Sequence, residues 1–236
     1  MVSLSPPADV LLAWSGGKDS SLALAALQDD PAWRVVALVT TITREYDRIS
    51  IHGVRRAVLE AQVAAVGLPL LEAVMPAASS NEVYEATLAE ALGRARRRWP
   101  GLRHIAFGDL FLEDLRAYRE ALLERLGWTG VFPLWGLDTA RLARRFVAEG
   151  YRAILTCVDT TQLDAGFAGR EFDGTLLAAL PPGVDPCGER GEFHTCVAAG
   201  PVLAHPLPLV AGTRVRRDGR FEYCDVLLAP AAPSPA

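Results

Sequence analysis

Six residues near the amino terminus, Ser15-Gly16-Gly17-Lys18-Asp19-Ser20, combine the side chains and the backbone freedom needed to hold a polyanion. Two successive glycines let the main chain approach an anion without a Cβ in the way. A helix beginning here would aim its unpaired N–H groups and the positive end of its dipole at the same point. Lys18 adds a compact charge, and the hydroxyls of Ser15 and Ser20 add donors. The loop is not a Walker A loop, which has a glycine five residues before the Gly-Lys pair and a Ser or Thr after it. This chain has Leu12 and Asp19 in those places. A carboxylate beside phosphates is favourable chiefly when Mg2+ lies between them, so Asp19 is the expected metal ligand. A turn that merely joined strand to helix would need neither the lysine nor the serines.

Three other stretches carry groups suited to the same chemistry. Asp185-Pro186-Cys187-Gly188-Glu189-Arg190-Gly191-Glu192-Phe193-His194-Thr195 is a glycine-flanked cluster with Glu189, Glu192 and His194 closely spaced. Such a loop either positions an amine and takes its proton or is a turn with solvated charges. Cys187, His194 and Cys196 lack zinc-site spacing and a fourth ligand. Gly108-Asp109 ends an apolar run, and Asp109 is either a ligand-facing carboxylate or a loop cap. In the polar stretch from Thr40 to His52, Thr40 and Thr41 are neighbours for a base or ribose, or simply good strand formers. His52 reads as a surface histidine or a pocket residue.

The elements that must position these groups alternate strand and helix, as in a doubly wound parallel α/β sheet. Strands are expected at Val10–Trp14, Arg34–Ile42, Leu68–Met75, His104–Phe107, Val131–Trp135 and Arg152–Val158. Helices are expected at Ser20–Gln28, Val54–Val66, from Ser79 (with Glu82, a capping box) to Arg98, Leu115–Leu126 and Thr139–Glu149. Past about Gln162 glycine and proline become frequent, and Asp218-Gly219 reads as a type I′ hairpin turn. The expected organisation is an α/β nucleotide domain over 1–127, a smaller α+β substrate domain over 128–229 and a loose tail over 230–236.

Composition narrows the function. A formal net charge of -4 speaks against a dedicated nucleic-acid binder. Cys157, Cys187, Cys196 and Cys224 form no C-x-x-C pair, and no signal segment or membrane-length apolar run is visible. A reduced, cytoplasmic protein without membrane partners is expected. Lys18 is the sole lysine among 24 basic residues, which singles out a place where a point charge is needed and a planar guanidinium will not fit.

The six-residue loop resembles the PP-loop of the ATP pyrophosphatases, which cleave ATP to AMP and pyrophosphate. More narrowly, Ser15–Ser20, Gly108–Glu120, Pro133-Leu134-Trp135-Gly136, Ala168-Gly169-Arg170 and Gly183–Thr195 follow the order seen in the diphthine–ammonia ligase family. The likeness covers about Val10 to Pro208. It implies that Ser15, Gly16, Gly17, Lys18, Asp19, Ser20, Thr40, Thr41, Gly108 and Asp109 hold Mg·ATP. It also implies that a carboxylate is adenylated and then taken by ammonia or an amine, assisted by Glu189, Glu192 or His194. In the family the acceptor is diphthine on translation elongation factor 2. Two departures, Arg190 for a glycine with His194 for a glutamate in the last motif, and Asp-Leu-Phe-Leu-Glu-Asp after Gly108, resemble the family's bacterial branch, where another acceptor is expected. Alternatives are a tRNA-modifying PP-loop enzyme, disfavoured by the acidic charge, and an ATP sensor that does not cleave, disfavoured by Asp19. Assembly as a homodimer is compatible with the sequence.

Overall fold

The computed structural model describes residues 6–230, so the expected tail lies outside the described residues except for Pro230. In chain order the first part contains β1 (Ala8–Ala13), α1 (Lys18–Asp29), β2 (Trp33–Thr43), β3 (Arg48–Ile49), α2 (Arg56–Val66) and β4 (Leu70–Met75). It continues with α3 (Asn81–Arg98), β5 (His104–Ala106), α4 (Glu113–Arg125) and β6 (Thr129–Val131). Then follow α5 (Thr139–Ala148), β7 (Arg152–Asp159), α6 (Gly174–Ala179), β8 (Phe193–Ala199), β9 (Leu209–Arg217) and β10 (Phe221–Leu228).

Strands β4, β2, β1, β5 and β6 lie side by side in that order, all parallel. The pleat of β1 explains the two layers of helices. Val10 and Leu12 face one core with Leu22 and Leu24 of α1 and Val58 and Leu59 of α2. Leu11 faces the other core with Leu88 and Leu92 of α3 and Leu122 and Leu123 of α4. A strand buried on both faces reads as a continuous apolar run, and that is how this one reads. Strand order reverses at β1, which pairs with β2 on one side and β5 on the other. Ligands of open α/β sheets sit outside the carboxyl ends of the strands at such a point.

The second sheet, ordered β8-β7-β10-β9, is wholly antiparallel. Its core residues Leu155, Val158, Val197 and Val226 belong to the same apolar cluster as α1 and α2, so this sheet is packed beside the glycine loop that precedes α1. Polar ties reinforce the contact: Asp225 accepts from Arg48 Nη1 at 2.7 Å and Arg55 Nε at 2.9 Å. Asp218 and Gly219 both have positive φ, as the expected hairpin turn requires.

Local differences from the sequence reading have simple causes. The strand expected at Val131–Trp135 lies at Thr129–Val131, because Pro133 has no N–H for a ladder and 133–136 is a turn. It pairs with β5 although it lies past residue 127. Ser80, not Ser79, caps α3, accepting from Val83 N, while the Ser79 hydroxyl donates to the Pro76 carbonyl. The stretch from Thr40 to His52 folds back as β3, antiparallel to the end of β2. It occupies the lane past the end of β1, directly above the loop.

Candidate functional site

Gly17 is the last non-helical residue before α1, and Gly16 has φ +73, a conformation natural to glycine. A Cβ on Gly16 would lie 2.3 Å from Gln62 Oε1. Gln62, fully buried on α2, donates from Nε2 to the carbonyls of Gly16 (2.9 Å) and Val197 (2.7 Å). The loop is thus pinned from below by an amide that also grips β8. Hydroxyl groups close it from within: Ser15 Oγ donates to Ser20 Oγ at 3.3 Å, and Ser20 and Ser21 donate to the Gly17 carbonyl at 3.0 Å. The Lys18 amide donates to Thr195 Oγ1 at 3.0 Å, so the first turn of α1 is capped by β8.

Lys18 is 2% exposed, and its ammonium does not lie over the loop as a phosphate clamp would. It donates to Asp19 Oδ2 at 2.9 Å and to the Cys187 carbonyl, with the Phe193 ring centroid 5.4 Å away. Burial works against its charge, but Asp19, Cys187 and Glu189 more than offset this and keep it protonated. Asp19 is raised above the ordinary carboxylate range by burial, with Asp185 and Asp109 adding to the effect against Lys18. Its Oδ1 is buried without a partner.

A cavity of about 340 Å³ opens at the carboxyl ends of β1, β2 and β5. Ser15, Lys18, Asp19 and Ser20 line one side, Thr40 and Thr41 another, and Gly108 and Asp109 a third. Glu189, His194 and Thr195 of the second unit form its roof. Gly108 is there because nothing larger fits: a Cβ would lie 2.8 Å from the Asp19 carbonyl carbon and 3.1 Å from the Ser20 nitrogen. Asp109 is held by Arg119, Oδ2 to Nε 2.7 Å.

Glu189 Oε1 accepts from Leu110 N at 2.7 Å, which joins the roof to the loop after β5. Burial raises its pKa to about 7; the Leu110 N–H opposes the shift, and Asp19 and Asp109 add to it. Between the ordinary value of 4.5 and about 7, the folded chain keeps a proton that the unfolded chain has released. Stability conferred by this group is therefore lost as pH rises through that window. Glu189→Gln should flatten the decline: denaturation midpoints at about pH 5 and about pH 8 should differ less than in the native chain. An unchanged pH dependence would place the titrating group elsewhere.

The remaining expected residues fall into two groups. His194 lines the cavity, tilted 42° against the His52 ring with centroids 4.5 Å apart. Burial holds both imidazoles neutral, His52 at about 4 and His194 well below its ordinary value. His52 is a cavity residue, not a surface one, and its Nδ1 is buried without a partner. Glu192, by contrast, does not line the cavity. It is 1% exposed and accepts from Asp185 N and Arg190 N, both at 2.9 Å, so its carboxylate holds the loop's shape. Asp185 does the same from the other end, accepting from Cys187 N at 2.9 Å and Glu189 N at 3.2 Å. The Thr40 hydroxyl donates to the Trp14 carbonyl at 2.6 Å, which fastens β2 to the end of β1. Among the described residues no group of three His, Cys, Asp or Glu side chains is placed to hold a metal by itself.

Sequence reasoning missed Gln62, and it gave no role to Thr195 or Arg119 although both lie in stretches it singled out. Gln62 had one signal: a polar residue on the apolar side of a helix, which burial requires to be hydrogen-bonded. Nothing local pairs Thr195 with the Lys18 amide, 177 residues away.

Residues 8–129 match the family model described as the diphthamide synthase N-terminal domain, and residues 138–226 match that of the diphthamide synthase C-terminal domain. The chain is 26% identical over 206 residues to the diphthine–ammonia ligase of Schizosaccharomyces pombe (strain 972 / ATCC 24843). That alignment covers 80% of this chain and 34% of the yeast protein, so the chain spans about a third of its relative's length. No helix among the described residues is long and apolar enough to cross a membrane. The two matched stretches are the two units that meet over the glycine loop, and the chain belongs to the diphthamide synthase family.

Proposed function

We propose that the chain splits ATP between the α and β phosphates and uses the adenylate to activate a carboxylate for amide formation. The observation that carries this reading is the glycine loop at the start of α1, set at the strand-order reversal under a roof of titratable groups. Family membership and the named ligase relative support it.

Gly16 and Gly17 bring backbone N–H groups to the terminal phosphates at the positive end of α1. Lys18 supplies the positive charge nearest to them, after exchanging its Cys187 carbonyl for a phosphate oxygen. Each preorganised donor of this kind is typically worth ~3 kcal/mol to a developing anion. Against Lys18 and Arg119 the cavity sets three carboxylates, Asp19, Asp109 and Glu189, so its lining offers no net positive charge to a triphosphate alone. The unpartnered Asp19 Oδ1 fits a cation shared with phosphate oxygens, the usual way Mg2+ is held. Mg2+ bound there would neutralise charge on the departing pyrophosphate. Glu189, with its pKa near 7, takes the proton of the incoming ammonia or amine. His52 and His194, both neutral, line the same space.

The acceptor of the named relative is diphthine; the acceptor of this chain is a carboxylate, small or protein-borne. Radiolabelled ATP, Mg2+, hydroxylamine and a set of carboxylic acids provide the test. AMP and pyrophosphate in equal amounts are the expected products. ADP and phosphate would refute the reading.

A further inference from the structure

A second cavity, of about 190 Å³, lies between the turn after β3 and the β9–β10 hairpin. Its wall toward the nucleotide cavity is made by Ile49 and Ile51, which line both spaces. Apolar surface is concentrated around it. Tyr46 (51% exposed), Ile51 (70%) and Val215 (45%) are three of the chain's exposed large apolar side chains, and all three line this one cavity. Single exposed apolar residues are ordinary, whereas a cluster around a concavity marks a binding site.

Ile51 adds an independent observation. Its φ is +68, a conformation that a β-branched residue rarely adopts and that costs about 1–2 kcal/mol. It sits inside a tight turn closed by two backbone bonds: His52 N donates to the Ser50 carbonyl at 2.8 Å and Gly53 N to the Ile49 carbonyl at 3.0 Å. The side chain is nevertheless held out in solvent, where it contributes little packing. Strain of this sort persists at ligand clamps. On the rim Asp225 is shared by Arg48 and Arg55, while Arg217 has no ion-pair partner among the described residues. Arg217 stands 5.0 Å over the Tyr46 ring.

We infer that this second cavity seats the apolar body of the carboxylic acid that the nucleotide cavity activates, with the acid's carboxylate passing the Ile49–Ile51 wall. The inference rests on the function proposed above and adds the substrate class: an acid with an aromatic or branched apolar body. In the step, a carboxylate oxygen bonds to the α phosphorus as the bridging P–O bond to the β phosphate breaks and pyrophosphate leaves. An amine nitrogen then bonds to the acyl carbon, AMP leaves with the electron pair of the acyl C–O bond, and the amine proton passes to Glu189.

The test uses the full chain with Mg·ATP, hydroxylamine as the amine, and acetate, isovalerate, phenylacetate and glutamate as acids. Hydroxamate is the readout, with binding of each acid followed by ligand-observed NMR beside a non-hydrolysable ATP analogue. Phenylacetate should outbind acetate at least about tenfold, as expected for burying a ring. Val215→Asp and Ile51→Asn should each remove about tenfold of that preference, while Val215→Asp leaves the affinity for the analogue as in the native chain. Asparagine tolerates positive φ, so Ile51→Asn keeps the turn. Equal binding of acetate or glutamate and phenylacetate overturns the inference, and so does a native preference in both variants. If the analogue itself fails to bind, the nucleotide reading falls first, which separates the two failures.

Discussion

Replacing Lys18 by methionine is expected to lower AMP formation by about 10²–10³-fold and to destabilise the fold by about 3 kcal/mol. The first effect follows, on the proposed function, from losing the sole lysine of the chain, which stands in the glycine loop. The second follows from the environment of the ammonium. It is 2% exposed and bonded to Asp19 and the Cys187 carbonyl, so its removal strands a carboxylate and a carbonyl. Asp19 keeps partial exposure, 29%, which places the cost at the low end for a broken buried pair. Methionine preserves contact with Phe172 and Phe193 better than alanine would. The two effects can be separated. Lys18→Met with Asp19→Asn removes the unpaired charge and should recover much of the stability but none of the activity. Thermal denaturation and product chromatography on the same preparations decide it. A single variant that releases AMP within about tenfold of the native rate would remove Lys18 from the chemistry.

The second large effect is steric. Gly108→Ala places a methyl 2.8–2.9 Å from the carbon and oxygen of the Asp19 carbonyl, which are main-chain atoms of the first turn of α1. Neither the end of β5 nor the helix start can yield without shifting the glycine loop. A cost of about 2–3 kcal/mol is expected, with nucleotide affinity falling at least about tenfold as the loop amides lose their aim. Gly93→Ala is the control. That glycine lies inside α3, and the nearest atom to a Cβ there is the Arg97 Nη1 at 3.8 Å. This change should stabilise by about 0.5–1 kcal/mol, the helix-propensity difference. If Gly108→Ala melts and binds a nucleotide analogue like the native chain, the close crossing of β5 over α1 does not set the site.

Much of the fold is written in local pattern. The apolar run of β1, the glycines that follow it and the alternation of later elements specify a parallel sheet with helices on both faces, and the structure has that sheet. Gly67, expected to stop α2, has φ +75 and donates its N–H to Val63 O as a left-handed cap should. Where reading failed, two local signals competed. Ser79 and Ser80 are adjacent potential caps, and spacing alone favoured Ser79, yet the Pro76 carbonyl takes its hydroxyl. At Val131–Trp135 apolar character suggested a strand, and Pro133 ended it early.

The site divides in the same way. Residues 15–20 carry their chemistry in their own types and spacing, because a glycine loop before a helix needs only itself to form an anion cradle. What faces that cradle was decided by the tertiary fold. Glu189 and Glu192 are three residues apart and alike on paper, but the folded loop before β8 turns one into the cavity and seals the other among its own amides. Lys18 is drawn toward Cys187, 169 residues away, and Gln62 and Thr195 reach the loop from α2 and β8. Hydrogen bonds and burial between residues so far apart leave no periodicity in the chain. Only the packing of the second sheet against α1 brings them within reach.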